Sequence, residues 1–157
     1  MGHSINGYHD FFTVISNERK IGGVIEAEEI RLRSGEKFQS PVFTHIDYSG
    51  STFYTICFIT NTGTKIITHV DDISTIKSPV HKRVQDINNE YYREIKVKEK
   101  LKYLKRLCQV DQGAYMKPFV EEAMLIINDI GYKNVKQLND LNIERLSNEK
   151  CKDSKIA

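Results

Sequence analysis

From Val84 to Val110 the chain contains neither glycine nor proline, whereas the part before it is interrupted at Gly22-Gly23, Ser34-Gly35, Ser49-Gly50-Ser51 and Asn61-Thr-Gly63. A long uninterrupted run suits a helix of many turns. The stretches between the interruptions have the length of strands, not of helices. This contrast predicts an α+β chain with its strands first and its helices last. We expect a strand-rich domain over 1–77, a helical domain over 78–146 and a frayed polar tail over 147–157.

The strand-rich part is read from alternation. Val24–Arg33 ends with Ile30 and Leu32 between Glu29, Arg31 and Arg33, the pattern of a half-buried strand. Pro41–Tyr48 alternates Val42, Thr44 and Ile46 with Phe43, His45 and Asp47. Thr52–Thr60 is dense in Phe, Tyr, Ile and Thr and suits a strand covered on both faces. Asn61-Thr-Gly63 connects it to Lys65–Val70 as a hairpin. Asp71–Ile76 reads as a turn, or one short helical turn, entering a last brief strand. Phe11–Ile15 reads as a further strand or the end of a short helix.

Short strands joined by tight turns suggest a meander that curls into a small antiparallel barrel or a strongly bent sheet. The order of an Arg-Ser-Gly turn, two long strands and a closing Asp-Asp-Ile-x-x-Ile element resembles SH3-like and Sm-like barrels over residues 24–77. The resemblance is one of pattern and implies fold alone.

Ser78-Pro79 stands where a cap and a first helical residue are expected. In the long helix, Val84, Ile87, Tyr91 and Ile95 share one face; Val97, Leu101, Leu104 and Cys108 share another. The helix is therefore expected to bend or to change packing partners near Lys96. Asp111-Gln-Gly113 ends it. Pro118–Ile130 is expected to be a second helix, with Phe119, Val120, Ala123, Met124, Ile127 and Ile130 on its apolar face and Gly131 as its stop. Asn134 is expected to cap a short third helix carrying Val135, Leu138 and Leu141, with a last turn at Ile143–Leu146.

The 157 residues carry 23 Lys+Arg against 21 Asp+Glu, a net charge of +2. That total excludes a uniformly basic nucleic-acid-coating protein and a strongly acidic mimic of nucleic acid. Three widely spaced cysteines indicate neither a disulfide framework nor a zinc site. No stretch is apolar enough for a signal peptide or a membrane span. A cytoplasmic protein without a membrane partner is the expectation. The abundance of Ile, Asn and Lys and the scarcity of Ala match the codon bias of AT-rich genomes, as in low-GC bacteria and their phages.

No nucleophile elbow, phosphate loop or dinucleotide fingerprint is present, so a nucleotide-dependent or hydrolytic enzyme of familiar design is not expected, and no cofactor or metal is assigned. His45-x-Asp47 and His69-x-Asp71-Asp72 place histidine and carboxylate on one strand face. Rim hydrogen bonding explains these pairs most simply. An enzyme using His45, Asp47, His69 and Asp71 would require all four to converge.

The largest departure from average lies in the long helix. Between Pro79 and Arg106 stand nine basic residues, Lys82, Arg83, Arg93, Lys96, Lys98, Lys100, Lys102, Lys105 and Arg106, against the acids Asp86, Glu90, Glu94 and Glu99. Lys96 and Lys100 flank the apolar stripe on one side, and Lys98, Lys102 and Lys105 on the other. Such side chains can follow phosphates, with Tyr91, Tyr92 and Tyr103 available for stacking. A merely solvated helix face is the plainer account. The segment Asp129–Val135 is similar to helix-hairpin-helix elements, in which a glycine-containing hairpin offers backbone N–H groups to DNA phosphates. Here Lys133 stands at the usual second glycine.

The sequence thus points to a non-enzymatic binding or regulatory protein. It would contact DNA or RNA through those nine residues, mostly by phosphate. The alternative is a protein-interaction module, such as a small phage or mobile-element inhibitor of a host enzyme.

Overall fold

The computed structural model describes residues 23–49, 52–138 and 141–156. The element expected at Phe11–Ile15 and the turn at Gly50-Ser51 lie outside these residues. The chain is α+β; the described residues form eight antiparallel strands in two sheets followed by helices. It divides into two compact units, Met1–Arg93 and Glu94–Ala157.

In the first unit the strands are β1 (Val24–Glu26), β2 (Glu29–Leu32), β3 (Lys37–Gln39), β4 (Val42–Ser49), β5 (Thr52–Ile59), β6 (Lys65–His69), β7 (Ile73–Lys77) and β8 (Val80–Lys82). One sheet has the order β6-β5-β4-β1-β8 and the other β3-β2-β7. The expected barrel does not close. Four stretches of chain instead pass from one sheet to the other, at Ala27-Glu28, Ser40-Pro41, Val70–Asp72 and Ser78-Pro79.

The corners at Ala27-Glu28, Ser40-Pro41 and Ser78-Pro79 lie side by side. Glu28 N donates to Lys77 O at 2.9 Å and Ser40 N to Glu28 O at 3.0 Å. Ser40 and Ser78 both take a positive φ, 50° and 51°, and each precedes a proline, which cannot donate to a ladder. The strand expected over Val24–Arg33 is therefore two strands. The corner also changes phase: Ile25 and Ala27 face the core before it, Ile30 after it.

Ile25, Ala27, Ile30, Phe43, Ile56, Phe58, Val70 and Ile73 form that core. Phe58 ties the sheets together, its ring 5.6 Å from Phe38 of β3 and 6.2 Å from Phe43 of β4. The hairpin at Asn61–Gly63 forms as expected, with Gly63 at φ 90°. A 3-10 turn at Val70–Asp72 then leads into β7.

Ser78-Pro79 is a strand corner and not a helix start. After β8 the chain makes a 3-10 turn at Val84–Asp86, and the long helix α1 (Glu90–Asp111) begins only at Glu90. Its cap is Asn89, whose Oδ1 accepts from Tyr92 N at 3.0 Å. The bend expected near Lys96 rests on counting Val84 and Ile87 into the helix, which begins after them. Val84 and Ile87, each 1% exposed, are core residues of the strap before the helix, so they share no face with Tyr91 and Ile95.

In the second unit α1 ends at Asp111, whose carboxylate accepts from Tyr115 N at 2.7 Å and Met116 N at 3.1 Å. Helix α2 (Lys117–Ile130) buries Phe119, Val120, Ala123, Ile126, Ile127 and Ile130 and stops at Gly131, φ 94°. Helix α3 is one turn, Tyr132–Val135. Asn134 sits inside it and does not cap it; its amide donates to Ile130 O at 2.7 Å, closing the end of α2. Helix α4 runs from Ile143 to Ile156, beyond the single turn and frayed tail expected there. Asn142 caps it, its Oδ1 accepting from Arg145 N at 2.9 Å, and the wholly buried Leu146 anchors it. Among the described residues no helix is long and apolar enough to cross a membrane.

Candidate nucleic-acid interface

The nine basic residues do not share one surface. Lys82 lies on β8, and its Nζ donates to Glu26 Oε1 at 2.8 Å. Arg83 pairs with Asp86 at 2.9 Å. Neither is on a helix. Arg93, in the first turn of α1, donates to Ile87 O at 2.8 Å and lies 3.9 Å from Glu90. Lys96 pairs with Glu99 at 3.0 Å. These four already serve the fold or a local carboxylate.

The remaining five are Lys98, Lys100, Lys102, Lys105 and Arg106. Lys98, Lys102, Lys105 and Arg106 are exposed, while Lys100 is half-buried. At about 100° per residue, the four exposed cations fall on one arc of roughly 100°, and Lys100 falls outside it. Leu104, wholly buried, lies on the opposite side of the helix. From Lys98 to Arg106 the stripe is about 12 Å long. Glu94 and Glu99 border it without entering it, and no described carboxylate pairs with any of its four members.

Of the tyrosines expected to join the stripe, Tyr91 is exposed and falls on the same arc, but about 10 Å along the helix before Lys98; Tyr92 and Tyr103 do not fall on it. Tyr92 is 9% exposed and belongs to the packed face. Tyr103 lies about 60° away from the stripe's near edge on the wheel and donates its hydroxyl to Glu122 Oε1. That hydrogen bond, with smaller contributions from desolvation and the Glu122 charge, raises the Tyr103 pKa above the ordinary 10.0. Between Lys98 and Arg106 the stripe can therefore contact phosphate but carries no aromatic ring on its arc.

Both histidine–carboxylate pairs form. His45 Nε2 lies 2.7 Å from Asp47 Oδ1. His69 Nδ1 accepts from Asp71 N at 3.0 Å and lies 3.5 Å from Asp71 Oδ2. They do not merge. Asp47 and His69 both stand opposite Thr55, one on each side of β5, and hence about 10 Å apart across two strand spacings. Among the described residues no group of three or more His, Cys, Asp or Glu side chains is placed to hold a metal. Cys57 is buried and Cys108 half-buried, both as free thiols.

At the hairpin likened to helix-hairpin-helix elements, Lys136 Nζ lies over the Tyr132 ring at 5.3 Å. The turn of helix after Gly131 is too short to present a helix N-terminus with a free set of donors.

Two residues that carry no motif in the sequence, Glu26 and Asn89, organise the approach to α1. Glu26 is 1% exposed and accepts from Lys82 Nζ, from Asn88 N at 3.0 Å and from Asn89 N at 2.8 Å. Asn89, wholly buried, donates from Nδ2 to Ser40 O at 3.0 Å and Ile59 O at 3.1 Å. The signal available was Asn88-Asn89 directly before a helical run. In the second unit Tyr115 holds the α1–α2 connection to the start of α4. Its hydroxyl accepts from Asn142 N at 2.8 Å, and the Arg145 guanidinium sits 4.2 Å over its ring. Compared with protein-family models, with curated proteins and with solved structures, the chain matches none.

Proposed function

We propose that this is a non-enzymatic binding or regulatory protein that contacts nucleic acid through the solvent face of α1. The observation that carries the reading is the stripe of Lys98, Lys102, Lys105 and Arg106, exposed and without described carboxylate partners on the side opposite buried Leu104. A solvated helix normally interleaves its charges so that i,i+4 pairs form. Here an arc of one sign is left open, and a polyanion is its natural complement.

Contacts of this kind read phosphate and not bases, so binding is insensitive to sequence and steeply dependent on salt. The test is fluorescence anisotropy of a labelled duplex and a labelled RNA at two salt concentrations. With two to four phosphates neutralised, the log–log salt slope on duplex DNA is expected between about −2 and −4. Charge reversal of Lys98, Lys102 and Lys105 to glutamate weakens binding at least tenfold while the far-ultraviolet circular dichroism is unchanged. Unchanged affinity in that variant refutes the reading.

A second reading, a protein-interaction module such as a small phage or mobile-element inhibitor, is supported by β6, an edge strand among the described residues, where Ile67 is 66% exposed. Absence of nucleic-acid binding at low salt would turn the choice toward it.

A further inference from the structure

The three-stranded sheet of the first unit sets two positive charges against each other. Arg31 on β2 stands directly opposite Lys37 on β3, and Thr75 on β7 stands opposite Arg31 on its other side. All three are exposed. Directly opposed side chains on neighbouring strands have Cβ atoms about 5 Å apart, and like charges there repel.

The acids nearest to the pair do not relieve it. In the next row Glu29 stands opposite Gln39 and accepts from Gln39 Nε2 at 3.0 Å. Glu28 pairs with Lys77 at 3.2 Å. Glu36 accepts from Ser34 Oγ at 3.5 Å. No described carboxylate lies within ion-pair distance of Arg31 or Lys37. Left alone, the pair costs stability; an anion between the two cations would reverse the sign of the interaction.

We infer that Arg31 and Lys37, with the Thr75 hydroxyl beside them, form a second surface for the backbone phosphates of nucleic acid, carried by the first unit. The inference rests on the reading of the protein as a nucleic-acid binder, but on none of the residues of the α1 stripe. A phosphate placed between the strands can take the guanidinium through two parallel N–H···O bonds. The Lys37 ammonium then supplies a point charge and Thr75 a neutral donor. The surface contacts no base edge, so it adds affinity without sequence preference. The α1 stripe alone offers few contacts, and a second modest surface on the same chain multiplies binding to a long polyanion.

The experiment uses the full chain and a labelled duplex of roughly 20 base pairs, long enough for several contacts. Four proteins are compared: the wild type, Lys37→Glu, the double variant Arg31→Glu/Lys37→Glu, and the α1 triple variant Lys98→Glu/Lys102→Glu/Lys105→Glu. The double variant is expected to bind about tenfold more weakly at low salt, with a log–log slope shallower by about 1 to 2. Lys37→Glu faces Arg31 with an opposite charge, so it should melt at an equal or higher temperature and still bind more weakly. Loss of folding cannot produce that combination. If the double variant binds as the wild type does while the α1 variant does not, the sheet surface is refuted and the helix reading stands. If only the sheet variants lose binding, the helix reading falls and the sheet surface stands. If the wild type binds no duplex at low salt, both are overturned.

Discussion

The backbone N–H of Asn89 donates to Oε2 of Glu26 at 2.8 Å, joining the first strand of the sheet to the cap of α1. The contact spans more than sixty positions of sequence. It does three jobs at once: it satisfies a buried carboxylate, orders the strap after β8, and holds Asn89 where its Oδ1 can accept from Tyr92 N. Every oxygen and nitrogen of the two side chains is used. A buried polar cluster of this kind is costly when half-satisfied and stable when complete.

Removal of either member should therefore be severe. Glu26→Ala leaves Lys82 without its partner and two N–H groups unpaired, for an expected loss of about 3 to 4 kcal/mol. Asn89→Ala removes a helix cap and orphans two carbonyls, for about 2 to 4 kcal/mol. Urea denaturation of the two single variants and the double variant measures the coupling. Because the residues share one network, the double variant should lose at least 1 kcal/mol less than the two single losses together. Additive losses would show that they act independently.

Gly63 gives a second test within the first unit. At φ 90° a Cβ on this residue would lie 2.7 Å from the Tyr91 ring. Gly63→Ala should therefore cost about 2 kcal/mol or more, from backbone strain and from the collision together. Adding Tyr91→Ala should recover the steric part only. A Gly63→Ala protein as stable as the wild type would disprove the close approach.

Tyr103 supplies a pH-dependent observable in the second unit. Its hydroxyl donates to Glu122, and this raises its pKa above 10.0. The sign follows from linkage. A group whose folded pKa is raised adds stability below its unfolded pKa, and that addition is lost as pH rises through the folded value. Absorbance titration near 295 nm should show one tyrosine ionising later than the others. Glu122→Gln, which removes the carboxylate charge and its strong acceptor, should bring that late phase back toward the ordinary value. Identical titration curves for the two proteins would contradict the pairing.

Periodicity carried the parts of the fold that depend on local pattern. The strand at Val42–Ser49 follows from alternation, the strand at Thr52–Ile59 from a density of strand-forming residues, and the helix at Lys117–Ile130 from a wide apolar face. The corners were illegible for a physical reason. Ser-Pro reads equally as a helix start or as a strand break, and only the hydrogen bonds among Glu28, Ser40 and Lys77 select the second. Misplacing that start by eleven residues, from Pro79 to Glu90, put Lys82 and Arg83 on a helix to which they do not belong. The candidate site was legible in composition but not in membership. Which lysines are open depends on partners such as Glu26, distant in sequence, and on the true phase of α1.

Lys82 and Lys102 make the sharpest comparison, because the sequence treats them alike. Lys82 is 26% exposed and bonded to a carboxylate that is 1% exposed. Lys82→Ala should cost about 2 to 3 kcal/mol, since it leaves that carboxylate without its cation. It should leave nucleic-acid affinity unchanged under conditions in which the variant is folded. Lys102 is exposed on the open arc of α1. Lys102→Ala should change stability by less than about 0.5 kcal/mol, as surface substitutions usually do. It should also shallow the salt slope on duplex DNA by up to about 0.9, one phosphate's share. Urea denaturation and a salt series of anisotropy titrations on the two variants decide the matter. A Lys82→Ala protein of full stability, or a Lys102→Ala protein with an unchanged slope, would undo the division of the basic residues into those that hold the fold and those that face a ligand.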